Sequence, residues 1–154
     1  MRHSTNNLAA LIGSRICHDL ISPIGAITNG LELMQMSGAA LTPEVALISD
    51  SVENANARIR FFRVAYGMAS AQQTMGRAEV VSILKAVAQG ARVSFHWGPL
   101  EDIPRSEVRL AFLALQCFET AMPYGGRITL SREGELWAIS GTADKLRQIG
   151  RASC

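Results

Sequence analysis

His18 is the residue of this chain best placed to do chemistry, in the run Ser14-Arg15-Ile16-Cys17-His18-Asp19-Leu20-Ile21-Ser22-Pro23. The apolar residues around it, Ile16, Leu20, Ile24, Ile27, Leu31 and Met34, recur at three- and four-residue steps, the spacing of one face of an α-helix. At about 100° per residue, His18 lies about 200° around that helix from Ile16, which puts it on the opposite, solvent-facing side. Ser14, Ser22, Gly25 and Asn29 fall beside it at roughly one-turn intervals, giving a face of small polar residues that another protein could approach closely. Near neutral pH an exposed imidazole is in large part unprotonated and is a competent nucleophile. Asp19, the next residue, is placed to orient the ring or to stabilise its charged form. Pro23 removes one backbone hydrogen bond and crowds the carbonyl four residues back, so a bend is expected near Asp19, serving either packing or a hinge beside the histidine.

Two long helices must carry this face. The first runs from about Thr5 to Met36, and Ser37-Gly38-Ala39-Ala40-Leu41 breaks its pattern. Thr42-Pro43-Glu44 then supplies an N-cap hydroxyl, a proline at the first helical position and an acid facing the helix dipole. The stripe Ile48, Val52, Ala55, Ile59, Phe62 and Tyr66 has coiled-coil spacing and predicts a second helix to about Ser70. Residues 1–73 therefore read as an antiparallel helical hairpin. At ~1.5 Å per residue the first helix is ~45 Å long, more than a hairpin alone can cover. A second copy is expected to complete a four-helix bundle, making the protein a homodimer.

Residues 77–154 read as a small α/β sandwich, so the whole chain is of the α+β class. Ala78 to Gln89 looks helical, and Arg92 to Trp97 alternates, with Val93, Phe95 and Trp97 on one face, as a half-buried strand does. Pro104 to Met122 is a second helix, ended by Pro123 and Gly125-Gly126. Arg127 to Arg132 and Glu135 to Ser140 read as strands joined at Glu133-Gly134. Gly141 to Arg147 is expected to begin a helix, and Gln148 to Cys154 lacks an apolar stripe and reads as a truncation or altered frame.

Composition narrows the function classes. A chain of 154 residues, 48% hydrophobic and 18% charged, has enough apolar material for an ordered core in one domain or two small ones. The net charge of +2, from fifteen basic against thirteen acidic residues, argues against a nucleic-acid partner. Cys17, Cys117 and Cys154 form no CxxC and have no histidine at metal-ligand spacing, so no disulfide framework, zinc or other metal is expected, and a reducing cytoplasm fits. Ser14 and Arg15 interrupt the N-terminal apolar run too early for a signal peptide, and Arg109, Gln116 and Glu119 interrupt the most apolar stretch, so no membrane association is expected. Elsewhere, His96 reads as the outer face of a strand, Cys17 as a small buried group, and Trp97 and Trp137 as core. Arg58, Arg60 and Arg63 lie off the second stripe, as solvated surface or as contacts for an acidic partner.

His18-Asp19-Leu20-Ile21-Ser22-Pro23 resembles the H-box of two-component histidine kinases. The longer run Arg15 to Ile27, continuing through Asn29-Gly30-Leu31-Glu32-Leu33, is similar to the ChpT-type histidine phosphotransferases of alphaproteobacteria. A weaker similarity extends through Arg60 to Gly67 and Ala121 to Gly126. The resemblance implies a dimeric bundle followed by a degenerate kinase-like ATPase subdomain without nucleotide. The residues agree with that last point, because every asparagine lies at or before Asn56 and no Asp-x-Gly-x-Gly segment occurs. It further implies phosphoryl relay: His18 takes the phosphoryl group from one receiver-domain aspartate and passes it to another, with Asp19 assisting. Ser14, Arg15, Ser22, Gly25 and Asn29 form the implied docking surface, and Ser22 is where kinases of this type place a hydrolytic water. No cofactor is implied for this chain, since Mg²⁺ belongs to the receiver. The implied partners are the receiver of a hybrid kinase and response regulators of the cell cycle. Two other readings stand beside it, a non-catalytic dimeric scaffold and a histidine kinase fragment that binds response regulators.

Overall fold

The computed structural model describes residues 2–38, 42–68 and 72–146, with side chains from residue 11 onward. It divides into two compact units, residues 1–68 and 69–154, together of the α+β class.

The first unit is a hairpin of α1 (Arg2–Met36) and α2 (Pro43–Ala65). Helix α1 runs unbroken for 35 residues with Pro23 inside it. At the start of α2 the Thr42 hydroxyl accepts from the Val45 N–H at 3.4 Å. The Glu44 carboxyl is held below its ordinary range by a hydrogen bond with the Thr42 side chain and by its own backbone N–H. Helix α2 stops at Ala65, short of the expected Ser70, where Tyr66 makes the last helical bond to the Phe62 carbonyl and Gly67 disfavours continuation.

The antiparallel seam is made of smaller groups than the sequence stripe suggested. Asn56 Nδ2 donates to Thr28 Oγ1 at 3.3 Å, and Thr28 in turn donates to the Ile24 carbonyl at 3.0 Å. Cys17, Leu31, Val52 and Ile59 are buried. At Gly13 a Cβ would lie 2.8 Å from Tyr66 Cβ, so glycine sets the helix spacing there. By contrast Ile16, Leu20, Ile27 and Met34 are all more than 40% exposed in the single chain. They lie about 60° around the helix from the seam, and only the Ile24 and Leu31 side of the stripe turns toward α2. Helix α2 also buries Ala57, Phe61, Val64 and Ala65, a second face outside the stripe read from the sequence. Gly13→Leu is expected to force the helices apart and to cost about 1–3 kcal/mol by overpacking, read as a lower hairpin unfolding midpoint.

The second unit contains β1 (Thr74–Met75), α3 (Arg77–Gln89), β2 (Val93–Trp97), β3 (Ile103–Pro104), α4 (Arg105–Ala121), β4 (Gly126–Glu133) and β5 (Leu136–Thr142). Strand β2 lies parallel to β4, and β5 pairs antiparallel with β4, giving the order β2-β4-β5. Helices cover one face, with Val80, Ile83, Leu84 and Val87 of α3 and Val108, Phe112 and Leu115 of α4 buried together with Ile128 and Leu130 of β4. Ser94 and His96 of β2 are exposed on the other face. Gly125 and Gly126, with φ of +99° and +151°, make the helix-to-strand turn, and a Cβ at Gly125 would meet the Arg92 carbonyl oxygen at 2.5 Å.

Three expectations for this unit are corrected. Thr74-Met75 is not only a breaker but a short strand pairing antiparallel with Ile103-Pro104, and two residues are too few to show a period. Gly141 to Arg147 does not begin a helix: Gly141 and Thr142 end β5, and residues 143–146 are non-helical. A Cβ at Gly141 would lie 2.9 Å from the Phe118 ring, so bare backbone packs on α4 there. The residues read as a truncated tail lie outside the described ones. Trp137 is not core but half-buried at the sheet edge, because its indole N–H donates to Glu107 Oε2 at 2.9 Å. Arg132, with 17% of its side chain exposed, pairs with Glu107 and Glu101, each at 3.1 Å, and its guanidinium lies 5.9 Å from the centre of the Trp137 ring.

Candidate functional site

Helix α1 presents His18 with 83% of its side chain exposed, on the side away from the hairpin seam. The adjacent Cys17 is buried, and burial pushes its thiol up, partly offset by the positive charge of Arg63. A thiol held protonated is a poor redox centre, and Cys17 acts as the small apolar group expected of it.

Asp19 bridges two neighbours. Arg15 Nε donates to Asp19 Oδ2 at 2.9 Å, and His18 Nδ1 stands 3.4 Å from Asp19 Oδ1. Sequence reading placed Arg15 only on the docking surface; its four-residue spacing from Asp19 was the signal for the ion pair. The hydrogen bond from Arg15 first, and the one from His18 second, hold the Asp19 carboxyl below the ordinary aspartate value of 3.8. The sign follows from that depression: the interaction is complete above the unfolded-state pKa and is lost as pH falls through the lower folded-state pKa. In an NMR titration of the Asp19 carboxyl, Arg15→Gln is expected to raise its midpoint, by more than His18→Gln does; the reverse order would contradict this geometry.

An ionised carboxylate can only accept, so Asp19 favours the imidazole tautomer with hydrogen on Nδ1. The Nε2 lone pair then points into solvent, free to attack an electrophile. Ser14, Ser22 and Asn29 are exposed around it, and Arg15 is exposed beside Asp19. Gly25 is half-buried, and a Cβ there would meet nothing within 4 Å, so the chain's own packing does not require glycine. His96 stands on the exposed face of β2 in the other unit, where it lines a shallow concavity with Ser94, Arg127 and Thr129. Among the described residues no three His, Cys, Asp or Glu side chains converge as a metal site, and no helix is long and apolar enough to cross a membrane.

The family model of the histidine phosphotransferase C-terminal domain matches residues 77–148. A curated relative, the protein phosphotransferase ChpT of Brucella abortus (strain 2308), is 38% identical over 133 residues, covering 85% of this chain. This chain spans 63% of that relative's length. A solved bacterial phosphotransferase structure superposes with a TM-score of 0.62 at 35% identity, over 92% of this chain and 70% of that one. That solved phosphotransferase is covered to more than two thirds of its length at over 30% identity, and with the matching family model it shows that the chain belongs to the histidine phosphotransferase family.

Proposed function

We propose that this chain relays phosphoryl groups between receiver-domain aspartates through His18, a reading supported by its similarity to a protein phosphotransferase. The observation that carries the reading is one exposed imidazole on α1 whose Nδ1 faces an ionised Asp19. In the forward step the Nε2 lone pair forms a bond to phosphorus, and the bond from phosphorus to the aspartyl oxygen breaks. The receiver's carboxylate leaves with the electron pair. The Nδ1 hydrogen stays on the ring, and Asp19 balances the positive charge that the phosphorylated imidazole acquires. A second receiver's carboxylate then attacks the same phosphorus and frees the imidazole. The work is mainly positioning and charge neutralisation, and the Mg²⁺ that assists it belongs to the receiver.

Ser14, Arg15, Ser22, Gly25 and Asn29 form the surface on which a receiver docks in this reading. The unfilled space over Gly25 supports close backbone approach. The exposed side chains Ile16, Leu20, Ile27 and Met34 support pairing of two hairpins into a four-helix bundle, the homodimer of the sequence reading. Free thiols at Cys17 and Cys117 fit action in the reducing cytoplasm. The missing asparagine and Asp-x-Gly-x-Gly segments support a relay without ATP.

The test is to mix the chain with a receiver domain phosphorylated by acetyl phosphate. Acid-labile, base-stable phosphate is expected to appear on His18 and to pass to a second receiver. Label on another residue, or none, would refute the reading; label acquired from ATP alone would favour the kinase fragment.

A further inference from the structure

Arg15 holds Asp19 through Nε alone, at 2.9 Å from Oδ2, and among the described residues its two Nη nitrogens have no hydrogen-bond partner. The other oxygen of the same carboxylate, Oδ1, stands 3.4 Å from His18 Nδ1. One carboxylate thus tethers a guanidinium and an imidazole side by side. Residues three apart are neighbours on a helix surface, and the Cα–Cβ bond of His18 tilts toward the turn that carries Arg15. Stability does not account for the ion pair. Arg15 and Asp19 are 77% and 52% exposed, such pairs contribute little in water, and the cation precedes the acid, the less favourable order along a helix. The chemistry of the site, in contrast, calls for a cation. A phosphoryl group arriving at Nε2 carries negative charge on its non-bridging oxygens, and Asp19 is already negative beside it. Arg15 is the only lysine or arginine between residues 3 and 36. Its unused fork has the planar, two-donor shape that matches two oxygens of a phosphoryl group.

We propose that the Nη fork of Arg15 binds the non-bridging oxygens of the phosphoryl group as it joins His18 and for as long as it stays there. The inference rests on His18 being the group that carries phosphate, and it adds a second role to an arginine placed so far only on the docking surface. Arg15 makes and breaks no covalent bond in this role. Its Nε keeps the bond to Asp19, so the carboxylate that favours hydrogen on Nδ1 also aims the guanidinium at the incoming oxygens. Asp19 on its own would repel a phosphoryl group, and the paired Arg15 offsets that repulsion at the point where it arises. An arginine that only touches a receiver would have no effect when the receiver is absent, and this difference makes the two roles separable.

Phosphorylation of the full chain by phosphoramidate, with no receiver present, is the test. His18 Nε2 forms a bond to phosphorus, the donor's P–N bond breaks, and ammonia leaves with the electron pair and a proton. Arg15→Gln is expected to slow this reaction about ten- to a hundredfold. Arg15→Lys, a point charge without the planar fork, is expected to recover only part of the loss. In the phosphorylated chain, the phosphorus NMR titration midpoint of the phosphoryl group is expected to be higher in Arg15→Gln than in wild type, because a neighbouring cation favours the more highly charged form. The Asp19→Asn background separates direct contact from an effect through Asp19. The asparagine carbonyl can still accept from Nε, so Arg15→Gln is expected to slow that variant further. A wild-type rate in Arg15→Gln, an unmoved phosphorus midpoint, or no further loss in the Asp19→Asn background would each overturn the proposal, and the last would leave Arg15 holding Asp19 alone. Failure of wild type to take phosphate on His18 from this donor would overturn it too. Phosphorylation by phosphoramidate without exchange with any receiver would instead refute the relay reading and leave the Arg15 contact standing.

Discussion

His18→Ala is expected to reduce phosphoryl acceptance from a phosphorylated receiver by at least about a thousandfold, to the level of an uncatalysed blank, because no other group near it can take its place. Cys17 beside it is buried with burial pushing its thiol up, and the hydroxyls of Ser14 and Ser22 are weak nucleophiles near neutral pH. The loss should come without a change in fold. His18 is 83% exposed and its one polar contact is with Asp19, so removing it opens no cavity, and the unfolding midpoint should stay within about 0.5 kcal/mol of wild type. Asp19→Asn should fall between these extremes. The amide keeps the shape but can donate as well as accept, so it no longer selects the Nδ1-protonated ring, and a loss of about ten- to a hundredfold in transfer rate is expected. Quench-flow transfer from a labelled receiver gives all three rates. Wild-type transfer in His18→Ala would end the relay reading.

The reach of the sequence can be judged residue by residue. His18 could be placed on an exposed face because a 35-residue helix repeats its period many times over, and the position of Ile16 then fixes the angle of its neighbours. The seam between α1 and α2 could not be read, since Gly13, Thr28 and Asn56 are not apolar and no hydropathy pattern marks them; their role is set by close approach and one cross-helix hydrogen bond. The Arg15 to Asp19 pair was available in the spacing but was masked by reading Arg15 as surface. In the second unit, β2 and β4 follow the expected alternation, whereas β1 and β3 are two residues each and have no period to detect. Gly141 looked like a helix opening because glycine breaks strands on average. Only the Phe118 and Met122 side chains packed against it explain why β5 runs through it. Trp137 was misplaced for a related reason: hydropathy counts the ring, while the indole N–H is held at the edge by Glu107.

Phe112→Ala should have the largest effect on stability. Phe112 is fully buried in α4 and shares the covered side of the sheet with Val108, Leu115, Ile128 and Leu130. Truncating a buried phenylalanine costs about 3–5 kcal/mol, from lost transfer energy and from the cavity left behind. A unit of this size has a total stability of roughly 4–11 kcal/mol, so from about a quarter of it to all of it would be lost. For a domain of 60–100 residues each kcal/mol moves the midpoint by about 4–8 °C, which predicts a fall of more than about 10 °C. The measurement can be made selective, because both tryptophans of the chain, Trp97 and Trp137, lie in this unit, with ring centres 5.4 Å apart. Their fluorescence reports its unfolding without a signal from the hairpin. Leu110→Ala, one helical face away and 67% exposed, is the matched control and should shift the midpoint by only a few degrees. Equal shifts for the two variants would mean that α4 does not pack on β4 through the Phe112 side, and the assignment of the covered and open faces of the sheet would have to be exchanged.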